Sequence, residues 1–229
     1  MNTKSTTFII LMALLTTVTL AGSIWLFLYL TGPNSINQSR ILPANNNLLG
    51  GIVTFAIFLS GGALWGLGIA LLTKTDVKAM VKTCALSWGL IPFVFIAGLG
   101  FSLGAIFKFG NTINFRYNYY YLMIIIPVIG IVTGINGWLV IGKLGLKELR
   151  KKASFKIGIA SALGFLAVSL FLQFVLGWEV GYPVPGKYGM LTLLHYCNIG
   201  AALAGGMAMG WVLARSKNSS VENISPSDV

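Results

Sequence analysis

The chain has 229 residues, of which 56% are hydrophobic and 9% charged, and its mean hydropathy is +0.83. A soluble domain carries about a quarter charged residues, so an ordinary water-soluble fold is excluded, as is a separate soluble catalytic domain. The formal net charge is +11; attraction to anionic lipid headgroups, at ~1 kcal/mol per basic residue near the surface, accounts for it without a nucleic-acid partner.

Six apolar runs occupy residues 8–31, 48–73, 81–107, 119–142, 155–177 and 188–214. Each reaches the ~20 residues that a helix needs to cross ~30 Å of hydrocarbon. In lipid a backbone satisfies its own polar groups only as a helix or a closed barrel, and these runs are too long for barrel strands. The expected fold is an all-α integral membrane protein, a six-transmembrane-helix polytopic bundle over residues 1–214. Residues 215–229 are polar and Ser/Asn-rich, and an unordered tail is expected there.

In the first run Lys4 and Thr19-Leu20-Ala21 imitate a signal peptide, but the apolar stretch continues through Trp25 to Leu30. Signal cores are ~7–15 residues, so an uncleaved first span is expected. The second run holds Ser60, Gly62 and Gly66; the third holds Cys84, Pro92, Gly100 and Gly104; the fourth holds Pro127, Gly130 and Gly134. The sixth holds His195-Tyr196-Cys197-Asn198, then Gly206 and Gly210. Cys84 and Cys197 should differ in depth by ~10 Å or more, beyond disulfide reach.

Orientation follows from the basic residues. With the N-terminus inside, twelve fall inside: Lys4, Lys74, Lys78, Lys82, Lys143, Lys147, Arg150, Lys151, Lys152, Lys156, Arg215 and Lys217. Only Arg40, Lys108, Arg116 and Lys187 fall outside. That asymmetry predicts both termini on the cytoplasmic side of a cell membrane, with anionic headgroups at the inner face. The aromatic outer segments, such as Tyr119-Tyr120-Tyr121 and Trp178, suit the headgroup level.

A weak internal similarity joins Leu59-Ser60-Gly61-Gly62-Ala63 to Leu203-Ala204-Gly205-Gly206-Met207, and Gly32, Gly104 and Gly177 recur at near-equal spacing. It is compatible with three helical hairpins of ~70 residues.

Three constellations could carry function. The glycine pairs Gly62/Gly66, Gly100/Gly104, Gly130/Gly134 and Gly206/Gly210 each place two small residues on one helix face, where a neighbouring backbone can approach. Such faces serve packing within the bundle, or against a membrane-protein partner or a second copy. Pro92 and Pro127 fall near the bilayer midplane, where a broken helix can expose carbonyls to a ligand. His195 and Asn198 share a face of the sixth helix, and polar groups in a span face the interior and find partners there. Ser60, Asn136, Thr16, Thr17 and Thr19 are partners by depth.

The absences are equally informative. All five acids, Asp76, Glu148, Glu179, Glu222 and Asp228, fall in loops, junctions or the tail, which disfavours proton pumps and cation exchangers. The sequence contains no P-loop, HExxH or CxxC, and one histidine makes no metal centre. A rhomboid-type hydrolase would need Ser60-Gly61 with His195, but Phe58 stands where that motif has its first glycine, and the first outer loop lacks a Trp-Arg pair. Size and topology alone resemble the substrate-binding subunits of vitamin transporters, a likeness that rests on no particular residue. The sequence therefore implies no catalytic residue, cofactor or metal. It points to a protein that binds or passes a small neutral or anionic solute near the midplane, using Ser60, Pro92, Pro127, His195 and Asn198. The alternative is a non-transporting assembly subunit that docks through its glycine faces and its basic 143–156 loop.

Overall fold

A computed structural model describes the backbone of residues 3–31, 47–90, 118–177 and 190–222, and the side chains of 3–27, 51–90, 125–177 and 195–216. Among them there is no strand. The helices are α1 (Thr3–Thr31), α2 (Asn47–Thr73), α3 (77–90), α4 (Asn118–Lys143), α5 (Arg150–Phe174) and α6 (Met190–Glu222), with a 3-10 turn at Lys147–Leu149. Five of these, all but α3, are long and apolar enough to cross a membrane. Helix α3 is described to Leu90; Pro92, Gly100 and Gly104 lie outside the described residues.

Large apolar side chains stand on the outside of the bundle: Val18 is 67% exposed, Leu71 65%, Phe155 69% and Phe174 71%. Water would penalise such a surface and lipid does not.

Helix ends follow local chemistry. Asp76 caps α3, its Oδ1 accepting from the Ala79 N–H at 3.3 Å. Gly177, at φ +65°, takes the left-handed conformation just beyond α5 that favours glycine. Two bounds depart from the apolar runs. Helix α5 begins at Arg150, inside the basic loop, and α6 continues past Arg215 to Glu222, where a tail was expected. Polar residues end an apolar run without ending a helix, because Lys, Arg and Glu are good helix formers.

Close packing is built from small residues. A side-chain carbon at Gly206 would meet Ala13 Cα at 2.9 Å, and one at Gly210 would meet Ile9 Cα at 2.8 Å, so α6 lies against α1. Gly62 faces the Cys84 carbonyl and Gly66 the Met80 carbonyl, joining α2 to α3. Gly130 and Gly158 face each other across α4 and α5, and Gly164 and Gly200 across α5 and α6. Ser154 donates to the Gly134 carbonyl at 2.6 Å. The indole N–H of Trp65 on α2 donates to Thr16 Oγ1 on α1 at 3.0 Å. The helices therefore run in the order α3, α2, α1, α6, α5, α4, a horseshoe with α3 and α4 at its ends; α2 and α4 make no close backbone approach among the described residues.

The horseshoe is sealed at one end. Met12, Ile69, Met80, Val140, Ile141, Ala153, Met209 and Leu213, from all six helices, form a continuous buried core near the basic turns. Away from that end the core narrows to α4, α5 and α6, around Ile125, Ile129, Phe165, Leu172, Cys197 and Ala201. Cations cap the sealed end. Arg150 lies 3.5 Å from the Trp138 ring centroid and donates from Nε to the Trp138 carbonyl at 3.0 Å. Lys156 and Arg215 both lie over Trp211, at 4.6 and 4.1 Å.

Candidate functional site

Above the sealed core the horseshoe encloses a cavity of about 220 Å³. It is smaller than the ~300–1,000 Å³ of drug-sized sites, so it suits a small solute. None of the described residues lining it is charged.

Helix rise sorts the lining by depth. Trp65 and Asn136 are eight and seven residues from the ends of α2 and α4, and Met209 is six from Arg215, about 10 Å up at ~1.5 Å per residue. Trp88 and Ser161 are slightly higher. Phe27, Phe58, His195 and Asn198 belong to the far half, ~20 Å or more from the basic end. The cavity is a deep slot with a floor and a rim.

Its two sides differ. Helices α1 to α3 contribute the aromatic rings Phe27, Phe58, Trp65 and Trp88. Trp65 and Trp88 have centroids 5.2 Å apart, and Phe27 and Phe58 6.3 Å apart. Thr16 also lies on this side, but its hydroxyl already donates to the Met12 carbonyl and accepts from Trp65. Helices α4 to α6 contribute Thr133, Asn136, Ser161, His195 and Asn198.

Hydrogen-bond accounting isolates the unusual members. Span hydroxyls mostly bond back to their own helix: Thr16, Thr19, Ser23, Ser60 and Thr133 each donate to a carbonyl three or four residues earlier. This satisfies them in lipid. Three buried atoms of cavity-lining residues have no such partner within the protein: Asn136 Oδ1, Ser161 Oγ and His195 Nδ1. Asn136 is 7% exposed and Ser161 1%. The Asn136 amide nitrogen donates to the Val132 carbonyl at 3.2 Å. An unmet polar group in so dry a place costs ~1–3 kcal/mol.

The residues singled out in the sequence separate accordingly. His195 and Asn198 line the cavity, but near the rim. Asn136, expected as their partner by depth, is about 20 Å lower by helix rise. Ser60 is exposed, donates to the Ile57 carbonyl at 2.8 Å and does not line the cavity. Pro127 is exposed too, and α4 runs through it as one helix. Ser161, Trp65 and Trp88 were not singled out. The available signal for Ser161 was its place between Gly158 and Gly164, on the face that α5 turns to its neighbours.

No protein-family model matches the chain, and no curated protein or solved structure matches it. The functional argument therefore rests on the cavity. Among the described residues no group of three His, Cys, Asp or Glu could hold a metal ion.

Proposed function

We propose that this chain is a six-span cell-membrane protein with both termini inside, and that it binds a small neutral solute in the cavity. The topology rests on the twelve-to-four distribution of basic residues and on the run at 81–107, which supplies the length of the third span. The binding role rests on one observation: the bundle encloses a cavity of about 220 Å³, unfilled by its own side chains, whose lining includes Thr133, Asn136, His195 and Asn198 and, among the described residues, no charged one. A solute that fills this space makes the contacts that packing within the chain leaves unmade.

The uncharged lining favours a neutral solute over an anion, since a buried anion without a cation pays heavily for desolvation. The sealed core favours holding over free passage. Movement across the bilayer would require that core to open. The rival, an assembly subunit, loses support because Gly62, Gly66, Gly130, Gly134, Gly206 and Gly210 already pack against helices of this same chain.

The test uses single cysteines in a background lacking Cys84 and Cys197. Ala202 lines the cavity, and Ala153 lies in the sealed core. A small uncharged methanethiosulfonate should modify Ala202→Cys and leave Ala153→Cys intact. If both resist equally, the bundle is dry and packed, and the binding role fails.

A further inference from the structure

We propose that the outer seam between α5 and α6, at the basic end of the bundle, holds the phosphate of an anionic phospholipid. The seam is formed by Lys156, Trp211 and Arg215, none of which lines the cavity, so this role goes beyond the solute binding proposed above.

Two helices send a cation to the same ring. Lys156 Nζ, from α5, lies 4.6 Å from the Trp211 centroid, and Arg215 Cζ, from α6, lies 4.1 Å from it. A ring face attracts a cation but carries no net charge, so the pair is gathered without being neutralised. Lys152 stands one turn before Lys156 on the same face of α5, and it is exposed. Acids do not offset the group. The first turn of α5 has none, and among the described residues Lys152 and Lys156 have no ion-pair partner. Like charges gathered on one ring repel, and an anion shared between them reverses the sign of that interaction. Stacking engages the face of a guanidinium, while its N–H fork lies in the plane of the group, the geometry that recognises a phosphate. A lysine ammonium adds a compact charge with three donors.

The surface next to the cations points to a lipid as the carrier of the phosphate. Toward the membrane core the same outer face of α5 continues as Ile159, 44% exposed, and Leu163, 58% exposed. Across the seam α6 presents Ala204 and Ala208, on the face that it shares with Trp211 and Arg215. Ala204 meets α5 at Gly164, which fixes that face as the one turned to the seam. An apolar strip thus runs from the cations toward the membrane core. It suits an acyl chain and gives nothing to a soluble phosphate. Depth agrees. Arg215 stands one residue from the end of the apolar span His195–Ser216, and tryptophan favours the headgroup level. In the orientation proposed above, this is the leaflet that carries anionic lipid.

The probes are dioleoyl-phosphatidylglycerol, dioleoyl-phosphatidylcholine and glycerol phosphate. Each is titrated onto delipidated full-length protein in detergent, and bound lipid is counted by native mass spectrometry. Phosphatidylglycerol should bind about tenfold tighter than phosphatidylcholine, whose choline cancels the phosphate charge. Lys156→Gln and Arg215→Gln should each lower phosphatidylglycerol affinity about fivefold, and Lys156→Arg should retain it. Trp211→Leu removes the ring and no charge, and it should weaken binding too. Lys82→Gln removes an exposed cation on α3, away from the seam, and should leave the affinity unchanged. Lys156 is exposed, so Lys156→Gln should unfold at the parent's temperature in the absence of lipid. Equal affinity for the two lipids overturns the proposal. So does an equal loss from Lys82→Gln and Lys156→Gln, which would make the attraction a property of the whole basic end. Displacement of the lipid by glycerol phosphate at comparable concentration would assign the seam to a soluble phosphate instead. Displacement by a glutamate-rich peptide would assign it to an acidic protein segment instead.

Discussion

Asn136 and Thr16 are both polar residues in apolar helices, and they should respond to mutation in opposite senses. Thr16 is fully engaged: it donates to Met12 and accepts from Trp65. Thr16→Val removes the acceptor and leaves a buried indole N–H unmet, a loss of ~1–3 kcal/mol. Asn136→Leu removes an oxygen that has no partner at all. It should therefore hold or raise the melting temperature of the empty protein, as removal of function-related strain commonly does. Thermal unfolding of the two variants in one detergent decides the matter. A melting temperature for Asn136→Leu that falls as far as that for Thr16→Val would mean that the oxygen is satisfied in the native protein.

At the scale of helices, stability comes from how closely backbones meet. Lipid tails are as apolar as leucine, so burial drives little association in the bilayer, and close packing must supply it. Gly206→Leu would force side-chain atoms into Ala13 and the Met12 carbonyl. An overpacking cost of ~1–3 kcal/mol is expected, more if α1 separates from α6. Met207→Leu, one residue along and facing outward, should cost almost nothing. Equal melting points for the two would show that the α1–α6 contact is not tight. Much of this scale was legible in the chain. Runs of apolar residues announce spans because a bilayer has a fixed thickness, and paired glycines announce contact faces because only they let backbones touch. What could not be read is which helix each face meets. Four-residue spacing fixes the face, but nothing in Gly130 or Gly158 names the other as its neighbour. The same gap hid the site. Asn136 and His195 look alike as polar residues in spans, but seven residues separate Asn136 from Lys143 and twenty separate His195 from Arg215, which puts one at the floor and the other at the rim. Ser161 looks like any span serine that bonds back to its own helix, and Ser60, which does bond back, looked more promising beside its glycines.

For the molecule as a whole, orientation is the quantity that charge dictates. Lys151 is exposed in the first turn of α5, within the basic loop. In a cysteine-free background, Lys151→Cys should resist an impermeant maleimide on intact cells, and Gly186→Cys, between the fifth and sixth apolar runs of the sequence, should be modified. The reverse pattern would invert the protein in the membrane. The horseshoe order has a further geometric consequence. The first and last helices, α1 and α6, are side-by-side neighbours at its centre, in contact from Ile9 and Gly210 to Ala13 and Gly206. The start of α1 and the last turns of α6 thus lie at the same end of the bundle and close to each other, while the ends of the horseshoe, α3 and α4, are consecutive in the chain. Followed in this order, the described helices succeed one another around the cavity, with a nick between α6 and α1. The turns at Lys74–Asp76 and Gly145–Leu146 open onto that same end, so the nick could sit at either without re-routing a single helix. A break at any of these places leaves every helix beside the same neighbours around the cavity.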